Sequence, residues 1–486
     1  MELRQRLLLI AIVAGALLPA PLRAELPALR ALVAKGARVS ATIVDLQSGA
    51  TVEQLNARER VAPASLTKLL TTAAALDAWP VDKTFDTALY GPPPVEGIIR
   101  ADLVLRGAGD ATFDDEKLWL LAARLRDLGV REVAGDLVVS PGGFGTLACD
   151  TRDRCEGIER STRAYNALLT SIGVDFGNWC IVVRPAEAGT PATLRSCTGT
   201  ALPMVVEGRI ETAASGTRSN FDVERVTTRG EDRLKVRGHI APGDEEHVYR
   251  AMSDPSQAIG LLLREALAQL GVTVRGNVVV AAATLSAPAG LQRLAMIESM
   301  PLREQLGRMM RYSNNYIADV LTLNLAAEKT RQPQTRLSTA SLDLMPLVRE
   351  PGQAALPADA PVLMSGSGLT PENRVSAREL TTLLAREYRD ARRFPAFLGT
   401  LVVPREAPFG FLRRGGPAWL DRVALKTGSM NEPISVGGVA GYLRKSDGGW
   451  MAFAVIVNGS ATWAHVPLDQ AIGAARSDIE AVLARH

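Results

Sequence analysis

The sequence predicts an α+β fold, with one antiparallel sheet assembled from both ends of the chain and helices supplied from its middle. Three observations carry this expectation. Residues 39–45 and 51–55 are apolar or β-branched runs joined by Gln47-Ser48-Gly49. Residues 422–426, 436–443 and 451–458 form a second such group, broken by glycines and by the turn Lys445-Ser446-Asp447-Gly448. Between the groups, residues 65–79 and 317–325 read as largely apolar helices.

Taken in order, residues 1–24 open with Arg4 and Arg6, continue through an apolar run over 7–18, and end in Pro19, Pro21 and the small residue Ala24. This pattern predicts a cleaved export signal, because an anchor needs about 20 apolar residues and would not close on two prolines. No later stretch is long and apolar enough to span a bilayer. Pro63 closes the loop before the helix at 65–79. Residues 103–106 then suggest a strand, 115–128 an amphipathic helix and 135–139 another strand, while Gly91-Pro92-Pro93-Pro94 reads as a local connector. Residues 178–248 are rich in Thr, Gly and strand-like runs such as 233–239, which suggests a separate small β module. Helix returns at 255–270 and strand at 272–280.

At 486 residues and 47% hydrophobic content the chain exceeds what one core organises, so two or three domains are expected. The formal net charge is only +3 and no Lys/Arg run is present, which sets aside nucleic acid and strongly anionic membranes as partners. The four cysteines, Cys149, Cys155, Cys180 and Cys197, are even in number and confined to one region. In an exported protein this suggests disulfides. Three connectivities are open, with Cys149–Cys155 and Cys180–Cys197 favoured as the sequence-local one. No CxxC or HExxH spacing occurs, which makes a zinc site less favoured, and serine acyl transfer of the kind read below needs no metal or organic cofactor.

The chemistry lies in three short motifs. In Ser65-Leu66-Thr67-Lys68 the serine and lysine stand one helical turn apart on one face, so an amine can reach a hydroxyl and serve as its base. For that, the lysine pKa must fall by about 3 units, roughly 4 kcal/mol, which burial and a second cation could supply. None of the four histidines, His239, His247, His465 and His486, neighbours a glycine-flanked serine, so a Ser-His-Asp triad is poorly supported. In Ser313-Asn314-Asn315 a hydroxyl could relay a proton to a leaving amine, and the Asn315 amide could bond a substrate carbonyl or Lys68. A register using Tyr312 and Asn314 is also open. Lys426-Thr427-Gly428-Ser429 offers a cation and hydroxyls for a substrate carboxylate, a glycine that would let substrate approach the strand edge, and an N–H of Ser429 that could form an oxyanion hole with that of Ser65.

The ordered triplet resembles that of the penicillin-recognising serine enzymes, specifically the D-Ala-D-Ala carboxypeptidase/endopeptidase family of low-molecular-mass class C penicillin-binding proteins. The stretches 103–113 (LVLRGAGDATF), 135–139 (GDLVV), 313–319 (SNNYIAD) and 366–369 (GSGL) resemble it too. The resemblance implies a transpeptidase-like domain from residues 25–86 and 285–486, an inserted α/β domain from 87–177 and 250–284, and a nested β-rich domain at 178–249. It assigns Ser65 as nucleophile, Lys68 as base, Ser313 and Asn315 to the second motif, and Lys426 to the substrate carboxylate. It departs from the family at Ser140, Ser365 and Pro371, where relatives carry charged groups that help recognise the diaminopimelate side chain. The expected protein is a periplasmic serine D-Ala-D-Ala carboxypeptidase, with DD-endopeptidase activity open. Its partners would be peptidoglycan peptides and inhibitory β-lactams, with peripheral membrane association left open. The rivals are a catalytically weak peptidoglycan-binding or β-lactam-sensing protein and a β-lactamase, the latter lacking a recognisable Glu-x-x-Leu-Asn segment.

Overall fold

The structure, a computed structural model, describes residues 26–160, 162–349 and 360–486. The expected export signal at 1–24 lies outside them. A five-stranded antiparallel sheet runs in the order Val423–Met430, Val436–Arg444, Trp450–Asn458, Arg38–Asp45, Thr51–Leu55. The two ends of the chain meet where Arg38 pairs with Asn458 and Asp45 with Met451. Both faces of its central strands are buried, and alternate residues enter different cores. Ala440, Tyr442, Ala454 and Ile456 join the helices Lys68–Ala78, Asn315–Thr330 and Ala377–Arg389. Val439, Phe453, Val455 and Val457 pack with the helices Pro27–Ala34 and Leu468–Leu483. These two terminal helices are tied together by Asp478, whose carboxylate accepts from the N–H groups of Ala28 and Leu29 at 3.1 and 2.9 Å.

A second five-stranded sheet orders Val278–Val280, Leu137–Pro141, Leu103–Gly107, Asp86–Gly91 and Gln292–Glu298, parallel over the first three strands and antiparallel thereafter. The strand Gln292–Glu298 belongs to this sheet through Asp86–Gly91, past the expected boundary at 284. The run expected as one strand at 272–280 is divided into Thr273–Val274 and Val278–Val280, which enter different sheets. The division falls at Gly276, where a Cβ would stand 2.5 Å from the Gly135 carbonyl.

The β-rich stretch holds two small sheets, one of Asn178–Arg184, Thr193–Ser196 and Glu246–Ala251, the other around Glu231–Ile240. Trp179, Ile181, Val223 and Leu234 share one hydrophobic cluster with the helices Asp115–Asp127 and Pro255–Gln269. Cys149–Cys155 and Cys180–Cys197 form disulfides, the sequence-local pairing. Phe144, Leu147 and Leu169 of the insertion pack into the core of the helix Asn315–Thr330, and Tyr316 donates its hydroxyl to the Thr170 carbonyl at 3.1 Å. The insertion is thereby held beside the first turn of that helix. Among the described residues no helix is long and apolar enough to cross a membrane.

Candidate active site

The helix expected at 65–79 begins as a 3₁₀ turn, Ala64–Thr67, and becomes α-helical at Lys68–Ala78. Ala64 holds a left-handed φ of 46° just before Ser65, a conformation costly for a residue with a Cβ. The surroundings over-determine it: Thr67 Oγ1 donates to the Ala64 carbonyl at 2.9 Å, and Gly368 packs so closely that a Cβ there would meet that carbonyl at 1.9 Å. Ser65 is thus presented on a tight, braced turn.

Lys68 is fully buried, and its Nζ donates to Ser65 Oγ at 2.9 Å, Asn315 Oδ1 at 2.8 Å and the Ser367 carbonyl at 2.8 Å. Burial pushes its pKa down to about 7, against the Asp319 carboxylate, which favours the charged form. With two N–H bonds fixed on Asn315 and Ser367, the neutral amine has its lone pair directed at the Ser65 hydroxyl.

The second motif is a junction between helices. Ser313 ends Leu302–Tyr312 in the left-handed region at φ 56°, and Asn314 caps the next helix by accepting from the Ile317 N–H at 2.9 Å. The reversal turns Ser313 and Asn315 into one cleft, while Tyr312 remains 61% exposed and outside its lining. Lys426, 2% exposed, donates to Ser313 Oγ at 2.9 Å and to the Thr427 carbonyl at 2.8 Å. Burial, and then the charge of Lys68, hold its pKa well below the ordinary lysine value.

The cleft encloses about 880 Å³ and is lined by Ser65, Ser313, Asn315 and Ser429, with Lys68 and Lys426 in the layer beneath. Thr427 is not among its lining residues. At Gly428 a Cβ would stand 2.5 Å from the Pro63 carbonyl, so the glycine lets the strand close against the turn carrying Ser65. Of the three departures from the family pattern, Pro371 lines the cleft, whereas Ser140 and Ser365 are buried elsewhere. Ser365 Oγ accepts from the Gly368 N–H at 3.0 Å and helps shape the loop facing Ser65.

Two residues with no role in the sequence reading complete the site. Asp319 accepts from the Ser367 N–H at 2.8 Å and from its hydroxyl at 2.9 Å, fixing the carbonyl that receives Lys68. It lies four residues beyond Asn315 on the same helix face, a spacing that could have drawn attention to it. The one cluster of three metal-ligand side chains among the described residues, Cys180, Cys197 and His247, has both sulfurs engaged in a disulfide.

Comparison with known proteins agrees with this geometry. The family model described as D-Ala-D-Ala carboxypeptidase 3 (S13) matches residues 24–477. The chain is 30% identical to a D-alanyl-D-alanine carboxypeptidase of Actinomadura sp. (strain R39) over 462 residues, covering 90% of this chain and 81% of that protein. It is 24% identical to D-alanyl-D-alanine carboxypeptidase DacB of Haemophilus influenzae, over 88% of this chain and 87% of that one. The crystal structure of penicillin binding protein 4 from H. influenzae superposes with a TM-score of 0.70 at 21% identity, covering 94% of this chain and 99% of that chain, and shares the α+β fold. The chain belongs to the D-Ala-D-Ala carboxypeptidase S13 family.

Proposed function

We propose that the protein is an exported serine DD-peptidase, acting in the periplasm on peptidoglycan stem peptides, with Ser65 as nucleophile and Lys68 as its base. The observation that carries the reading is the 2.9 Å contact between Lys68 Nζ and Ser65 Oγ, made by a buried amine whose pKa is about 7. Lys68 takes the hydroxyl proton as Oγ bonds to the penultimate D-Ala carbonyl carbon. The N–H groups of Ser65 and Ser429 would receive the oxyanion. Ser313, held by Lys426, gives its hydroxyl proton to the departing amine and regains one relayed from Lys68, which returns to the neutral amine as the C–N bond breaks and terminal D-Ala leaves. Water then adds to the ester carbonyl, Lys68 takes its proton, and Ser65 is released with its hydroxyl restored.

Lys426 and Ser429 would hold the substrate's terminal carboxylate. Because burial and Lys68 disfavour the charge on Lys426, an arriving carboxylate favours its protonation, so charge at this position is coupled to substrate binding. A cross-link between D-Ala and a diamino acid side chain would be cut by the same steps. A β-lactam would acylate Ser65 and persist. The test is labelled penicillin with wild type and Ser65→Ala: a stable adduct on the first alone is expected, and rapid turnover of the drug would instead indicate a β-lactamase.

A further inference from the structure

Beside the Ser65 cleft lies a second cavity of about 710 Å³, and the two share Arg163 and Asn166 in their walls. Its long wall is the strand Asn220–Thr228, of which residues 222–227 line the cavity. That strand pairs with Glu231–Ile240 on one side, and among the described residues no strand pairs with its other edge. Such an edge offers a row of main-chain donors and acceptors to an extended peptide.

The floor carries Arg250, whose Nε donates to the Val223 carbonyl at 2.5 Å and whose Nη1 donates to the Tyr249 carbonyl at 2.9 Å. An antiparallel bridge sets Arg163, which lines both cavities, opposite Arg250, which lines the second. Burial holds the Arg250 guanidinium below its ordinary pKa; Asp222 opposes this and Arg163 adds to it. A bound carboxylate would relieve that repulsion and match the planar fork of a guanidinium.

We propose that this second cavity binds an extended, carboxylate-bearing peptide stretch of the cell-wall substrate remote from the scissile bond. Arg163 and Arg250 take the carboxylate, and the edge of Asn220–Thr228, apart from the Val223 carbonyl that Arg250 already occupies, takes the main chain. The proposal rests on the reading of Ser65 as the site of cleavage, because continuity with that cleft identifies the peptide as part of its substrate. Substrates with a second stem peptide gain from it, whereas short linear ones do not reach it.

The test compares wild type with Arg250→Ala and with Val226→Trp, which fills the cavity from its strand wall, on a short D-Ala-D-Ala peptide and on a purified cross-linked muropeptide dimer. Both variants should hydrolyse the short peptide within about twofold of wild type and lose about tenfold in kcat/KM on the dimer, the size of one charge-assisted hydrogen bond. Acylation by penicillin and an unchanged melting temperature check that each variant is folded. In the Ser65→Ala background, calorimetry should show dimer binding weakened about tenfold by Arg250→Ala, whether or not cleavage occurs there. Equal losses on both substrates, no loss on the dimer, or displacement of the dimer by a peptide-free glycan oligosaccharide would overturn the proposal. Failure of wild type to cleave either substrate would sink the Ser65 reading instead, and calorimetry would still report on the groove.

Discussion

The proposed role of Lys68 as base rests on an amine buried against three acceptors, one of them the Ser65 hydroxyl. With its pKa at about 7, the neutral amine dominates above that pH, so acylation of Ser65 should rise with pH and level off beyond about 7. Lys68→Ala should slow acylation by about a hundred- to ten-thousandfold. Stopped-flow acylation by a chromogenic β-lactam measures both, and a pH-independent rate would contradict the assignment. Asp319→Asn removes the negative charge that favours protonated Lys68, so the midpoint of that profile should move to lower pH. An upward shift would show that Asp319 acts otherwise. Ser65 and Lys68 were legible in the sequence because three residues of separation fix their geometry locally. Asp319 and Ser367 were not, because their bond spans 48 residues and depends on how the loop at 366–369 folds back.

The elements that carry the site are short and tightly braced. Gly428→Ala would drive a Cβ into the Pro63 carbonyl, costing about 1–3 kcal/mol of stability and displacing the Ser65 turn. Urea unfolding together with the acylation rate tests this; an unchanged rate would mean that the strand and turn are not coupled. Asn314→Ala removes the cap of the helix that begins at Asn315, at about 1 kcal/mol, and should slow acylation by loosening Ser313 and Asn315 together. An unchanged acylation rate in that variant would show that the cap does not position them. The strands of the central sheet were readable from their apolar, β-branched runs. The helix Ala377–Arg389 carries its own sequence signal, the capping box of Ser376 and Glu379. The 3₁₀ start of the Ser65 helix was less accessible, since it depends on contacts from Gly368 and Gly428 that no local pattern encodes.

At the scale of the molecule, both chain ends build the sheet against which Ser65 is set, and Asp478 binds the last helix to the first described one. Deleting residues 468–486 should therefore prevent stable folding and abolish penicillin labelling, since it strips one face of the central sheet of its cover. A truncated protein that still labels would show the pairing of the ends to be dispensable. The discontinuous plan was legible because strand-like runs stood at both ends with a long interval between. The membership of Gln292–Glu298 in the second sheet was not, because a strand's own residues do not specify which of two sheets it completes. The central claim, that Ser65 cleaves D-Ala from stem peptides, is tested most directly by mass spectrometry of pentapeptide muropeptides incubated with wild type and Ser65→Ala. Wild type should release D-Ala and the variant none; release by both, or by neither, would contradict the assignment of Ser65.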